Sequence, residues 1–131
     1  MKAEGKTFLA VLGAFAAALL IKGFLVDFMI VEGRSMLPAL SPGAVVLLDR
    51  RAYGIRLPGA DSYLVRWAGP AVGDVVVFIS PGGQQAVKRC TALTREGKVY
   101  VLGDNGDESY DSRSYGPVSA ESILGKALGV K

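Results

Sequence analysis

The stretch GDVVVFISPGGQQAVKRC, residues 73–90, decides how the chain folds. Asp74 to Ile79 is a short run of β-branched and aromatic residues, bounded by Gly73 and by the turn cluster Ser80-Pro81-Gly82-Gly83. A second run, Gln85 to Leu93, follows that cluster. Short apolar runs punctuated by Gly and Pro read as strands. Working outward, the pattern recurs. Ala44 to Leu48 lies between Ser41-Pro42-Gly43 and Asp49-Arg50-Arg51, and Lys98 to Leu102 follows the turn Arg95-Glu96-Gly97. Ile123 to Leu128 closes the set, after a short turn expected near Ser119–Ser122. Seventeen glycines and 6 prolines suit tight turns and bulges. The reading is a mainly β domain of short strands, a small barrel or sandwich. Residues 50–72, rich in Arg, Gly and Pro, read as a long loop or an excursion hairpin.

The front of the chain is different. Thr7 to Ile21 contains no charged residue, and extension through Val26 gives a length that spans roughly 30 Å as a helix. This run explains the mean hydropathy of +0.34, high for 131 residues. A soluble core helix fits poorly, because every face is apolar. A cleaved secretory signal fits poorly too, because the small-x-small triplet Ala14-Phe15-Ala16 lies inside the run and not after it. One uncleaved transmembrane anchor over 7–26 is expected, with Lys22 snorkelling to the far interface. Lys2 and Lys6 precede the run and favour a cytoplasmic segment 1–6, with residues 27–131 as a β-rich domain on the outer face. Phe24, Leu25, Val26, Phe28, Met29 and Ile30 would then lie at or near the membrane surface, and Asp27 would mark the exit.

Composition narrows the chemistry. With no histidine and one cysteine, neither Ser-His-Asp nor Cys-His catalysis, His-ligated metal nor an internal disulfide is possible within the chain. A net charge of +3 and a pI near 9.1, without dense Lys/Arg clusters, do not argue for nucleic acid. Three segments could carry function. In Glu32-Gly33-Arg34-Ser35-Met36-Leu37-Pro38, a glycine and a proline flank a serine and can hold its hydroxyl at a fixed angle. In Ala86-Val87-Lys88-Arg89-Cys90, strand alternation puts Ala86, Lys88 and Cys90 on one face. Burial there would depress the lysine pKa. An ordinary lysine is neutral in only roughly 0.4% of molecules at pH 8, so a lysine base needs that depression. The third segment, Gly103 to Gly116, is a dense polar loop holding Asp104, Asp107, Glu108 and Asp111. Its spacing does not match an EF-hand, and a loop braced by its own charges, such as Asp111 with Arg113, is the plain reading.

Together, and in this order behind an anchor, the segments resemble the type I signal peptidases, membrane-bound Ser-Lys endopeptidases. The resemblance rests on Ser35-Met36-Leu37-Pro38 with Leu40, on Gly73-Asp74-Val75-Val76, and on Val87-Lys88-Arg89. It rests above all on Gly103-Asp104-Asn105, Ser109-Tyr110-Asp111-Ser112-Arg113 and Gly116. It covers residues 7 to about 128. It implies a coiled, barrel-like catalytic core. Ser35 would be the nucleophile and Lys88 the neutral general base, with Ser109 bonded to that lysine. Asp111 and Arg113 would form an ion pair behind the site, and Asp104 would pair with Arg89. Met36 and Pro38 would lie at the substrate cleft. No cofactor or metal is implied. Implied partners are the lipid bilayer and the signal peptides of exported precursors, cut after small-x-small sites at the plasma membrane. Gly33 departs from a branch whose Ser or Thr at that position completes the oxyanion hole, so the Ser35 backbone N–H is expected there with a second donor left unnamed. Ala39 and Gly106 replace a common Thr and Arg. The short link from Cys90 to Gly103 implies a minimal core without the large accessory β domain of some relatives. A narrow-substrate peptidase of the pilin or conjugation type, and an inactive membrane-tethered binding module, stand as alternatives.

Overall fold

The computed structural model describes residues 2–57 and 59–130, with the backbone alone at 22–24. Helix α1 runs from Lys2 to Phe24, with Glu4 in its first turn, where a carboxylate favours the helix dipole. Phe8, Phe15 and Leu20 are each more than half exposed, so the protein itself covers none of this surface. Among the described residues, α1 is the one helix long and apolar enough to cross a membrane. Its bounds differ from the expected 7–26. The lysine-containing start is helix-compatible and continues the helix outward, whereas Val26 already belongs to strand β1 (Val26–Ile30). The sequence hid this strand, because no turn cluster separates it from the apolar run. The side chains of Lys22 and Phe24, expected at the far interface, lie outside the described residues.

The remaining strands are β2 (Val45–Asp49), β3 (Gly54–Ile55), β4 (Val65–Arg66), β5 (Val75–Ile79), β6 (Gln85–Leu93), β7 (Val99–Leu102) and β8 (Ile123–Leu128). Five of them join β1 in one antiparallel sheet, in the order β1-β2-β8-β5-β6-β7. The mainly β expectation holds, and β6 and β8 fall on the residues expected of them. β5 is buried on both faces, which is why its sequence is an unbroken apolar run and not an alternating one. Val75 and Val77 pack with Met36, Val46, Leu48, Val87 and Ala127 on one side. Val76 and Phe78 pack with Cys90, Val99, Val101 and Ile123 on the other. Three strands separate β1 from β6 in the pairing order, yet both line one cleft. The sheet is therefore strongly coiled, in the sense that strand twist accumulates.

The unpredictable 50–72 region is the excursion hairpin β3–β4. Gly54 is required there, because a Cβ would collide with the Val65 carbonyl and lie 2.8 Å from the Arg66 Cα. The hairpin is tied to the body by Arg56, which donates to the Ala60 and Glu121 carbonyls, and by Tyr63, whose hydroxyl donates to Ile123 O. A single helical turn, α2 (Ser112–Tyr115), is capped by Asp111, and a 3-10 turn at Ala120–Ser122 is capped by Ser119.

Candidate active site

Ser35 lies in the loop that leaves β1. Gly33, at φ +76°, supplies the left-handed turn that a side chain would strain. Val31 before the serine and Met36 and Leu40 after it are buried in one core. These pegs fix the loop and leave Ser35 half-buried at the cleft rim. Lys88 reaches the same point from β6, on the face it shares with Ala86 and Cys90. It is 7% exposed. Its Nζ lies 2.6 Å from Ser35 Oγ. Burial pushes the amine below its ordinary value, because desolvation disfavours the ammonium; the Asp111 charge opposes this without cancelling it.

Asp111 is fully buried. Its Oδ2 accepts from Gly103 N at 2.9 Å, from Ser109 Oγ at 2.6 Å and from Arg113 Nη2 at 2.6 Å. Its Oδ1 accepts from the Arg113 backbone N–H and from Arg113 Nε. Burial alone would raise this carboxyl, but the hydrogen bonds outweigh it and hold the group well below the carboxylate range. The Ser109 hydroxyl lies in the site but is bonded otherwise than expected. Its hydroxyl donates to Asp111, and among the described residues the hydrogen-bond partner of Lys88 Nζ is Ser35. Arg89 and Asp104 meet through two bonds of 2.9 and 2.8 Å, and Arg89 also donates to Gly73 O. This pair ties the loop after β7 to β6.

Two contacts escaped the sequence reading. The Asn105 N–H donates to Ser35 O at 2.8 Å, and its side-chain amide donates to Arg34 O at 3.1 Å. A methyl group on Gly103 would collide with the Ser109 hydroxyl and come within 2.6 Å of Ser35 O. The loop after β7 thus grips the Ser35 loop along two consecutive carbonyls. The only signal in the sequence was the run Gly-Asp-Asn directly after a strand. Among the described residues, no acceptor takes the Ser35 N–H, which points to an unspent donor beside the hydroxyl.

The pair faces a cleft of about 820 Å³. One wall is β1 with Val31 and Met36, and the other is Gln84 to Lys88. Met36 lines this cleft as expected; Pro38 is exposed and lies off it, because the turn after Met36 runs away from the rim. A hydroxyl, a buried amine and a spare N–H at the rim of an open cleft can support nucleophilic attack on a carbonyl.

Comparison with known proteins agrees. A family model described as signal peptidase, peptidase S26, matches residues 5–95 and 94–130. The chain is 31% identical to signal peptidase I of Pseudomonas aeruginosa over 95% of its own length and 46% of the relative's. It is 32% identical to signal peptidase I of Pseudomonas fluorescens over 97% of its own length and 41% of the relative's. A mouse protein, mitochondrial inner membrane protease subunit 2, is 33% identical over 68% of this chain and 57% of its own. The chain thus spans less than half the length of the two Pseudomonas relatives. On the family match over nearly its whole length, this chain belongs to the signal peptidase family.

Proposed function

We propose that the protein is a membrane-bound serine endopeptidase that removes signal peptides from exported precursors. The observation that carries this reading is the 2.6 Å approach of a buried lysine amine to Ser35 in a chain without histidine. Neutral Lys88 takes the Ser35 proton as Oγ attacks the scissile carbonyl. The developing oxyanion accepts from the Ser35 N–H; one such donor contributes about 3–4 kcal/mol. Lys88 returns the proton to the leaving amine. It then activates the water that releases the acyl group.

The cleft suggests how substrate enters. β1 ends the pairing order of the sheet, and β7 pairs with β6 only from Arg89 to Leu93. An extended peptide between β1 and Gln85–Lys88 would add a strand and bridge the coil. In an extended peptide the first and third residues before the cut point the same way. Facing the buried Val31, Met36 and Val87, both positions favour small side chains. The membrane reading is supported by α1 and by exposed cross-strand pairs beside it, Phe28 with Leu47 and Ile30 with Val45. Lys2 and Lys6 in the first turns of α1 support an orientation with the catalytic domain outside the plasma membrane.

The test is processing of a precursor carrying an Ala-x-Ala site by the detergent-solubilised full chain, beside precursors with Phe at the first or third position. Cleavage after the last Ala, lost with Phe, is expected. A folded sample that cuts no precursor overturns the reading, and one that cuts a single pilin-like precursor narrows it to the restricted-substrate peptidase.

A further inference from the structure

The β3–β4 excursion has no part in the cleft, yet it carries an unusual surface. Ile55 and Val65 face each other across the hairpin and are 41% and 54% exposed. Leu64 and Trp67 are more than half exposed. Residues 50–68 hold four arginines against Asp61, so the whole formal charge of the chain, +3, is matched within this one segment. Arg51 and Arg66 are the exposed ones, and each also stands 3.5 Å from a carboxylate, Asp49 and Glu121 respectively. Apolar groups, a tryptophan and arginines left together on a surface mark an interaction site.

The position of its root identifies the partner. The Arg50 N–H donates to Leu25 O at 2.8 Å, and Leu25 is the first residue after α1. The Arg50 guanidinium is held to Asp27 at 2.9 Å. The excursion therefore departs beside the end of the candidate span. It is also fixed to the body through Tyr63 and Arg56, so it cannot fold back over its own apolar face.

We propose that the β3–β4 excursion is a second membrane contact, in which Trp67 and Leu64 enter the headgroup layer and Arg51 and Arg66 meet anionic lipid. Tryptophan favours this layer, where one end of the ring is apolar and the other wet. Arginines near an anionic surface add electrostatic attraction. The proposal rests on the anchor reading above and extends it: the anchor sets the distance from the bilayer, and the excursion would set the orientation of the domain on it.

Trp67 is the sole tryptophan, so the chain carries its own probe. The full chain is reconstituted in phosphatidylcholine vesicles with and without phosphatidylglycerol, and flotation reports the anchor. Lipids brominated near the headgroup or near the chain end then quench the fluorescence by depth. Expected are a blue-shifted emission and quenching roughly twofold stronger by the shallow bromines, larger with phosphatidylglycerol. The double variant Arg51→Glu/Leu64→Asp, both at exposed sites, should float equally and lose this quenching. Emission typical of water, with equal iodide quenching in vesicles and detergent, overturns the proposal. So does a blue shift in detergent that grows with protein concentration, which would mean that a second copy covers the face. A chain that does not float removes the anchor, and the proposal with it.

Discussion

Lys88 lies among Ala86 and Cys90 on one face of β6, and among the described residues it forms no ion pair. A carboxylate in contact would hold the ammonium; burial does the opposite. Because the amine is depressed, activity should rise with pH as Lys88 loses its proton, and a pH–rate profile of kcat/KM checks this. Lys88→Arg should be inactive at every pH, since a guanidinium keeps its proton. The same shift has a stability sign. The unfolded chain binds the Lys88 proton more tightly, so this group's contribution to stability rises with pH between its depressed value and about 10.4. Asp111 works in the other direction. Its depressed carboxyl contributes stability above the ordinary carboxylate value of about 3.9, and that contribution is lost as pH falls further. Asp111→Asn should cost about 2–3 kcal/mol in denaturant unfolding, because buried donors lose a charged acceptor. It should also move the pH–rate limb to lower pH, since Asp111 raises Lys88. Ser35 and Lys88 are singled out in sequence by the ordered motifs that resemble the signal peptidases, and strand alternation gives only the face of β6 that Lys88 shares with Ala86 and Cys90. The partner of Ser109 is not legible there, because a hydroxyl's direction depends on the loop that carries it.

The site is the meeting of two loops and a strand. The loop after β7 holds the loop after β1 through Asn105, and it approaches closely because Gly103 lacks a side chain. Gly103→Ala should displace Ser35 and lower kcat by about 100-fold with little change in KM, which steady-state kinetics separates. A raised KM at unchanged kcat would instead place the fault in substrate binding. Strands β2, β5, β6, β7 and β8 are legible in the sequence, each bounded by Gly or Pro clusters or charged turns. Strand β1 is not, because an apolar strand that follows an apolar helix has no punctuation between them. Its pairing with β2 is a long-range fact that no local pattern shows. The two-residue strands β3 and β4 are too short for any period, so only their turn residues could be read.

The coil of the sheet brings β1 against the first half of β6 and so builds the cleft. Neither strand's sequence announces that approach, and the strand order was not legible. What could be read at this scale was the division between an apolar front and a β-rich remainder. The coiled sheet gives the Ser35–Lys88 pair a floor of buried valines and an open cleft. On the proposed reading, an apolar helix, a strand-lined cleft and one hydroxyl–amine pair make up a membrane-bound peptidase. The central claim of that reading is that Ser35 becomes acylated with Lys88 as base. The most direct test is rapid-quench mass spectrometry of the full chain with an Ala-x-Ala peptide ester, run across pH on wild type, Ser35→Ala and Lys88→Ala. The account predicts an acyl group on the peptide holding Ser35, formed faster as pH rises, and absent in both folded variants. An acyl group on another residue, or acylation that persists in Lys88→Ala with a flat pH profile, would contradict it.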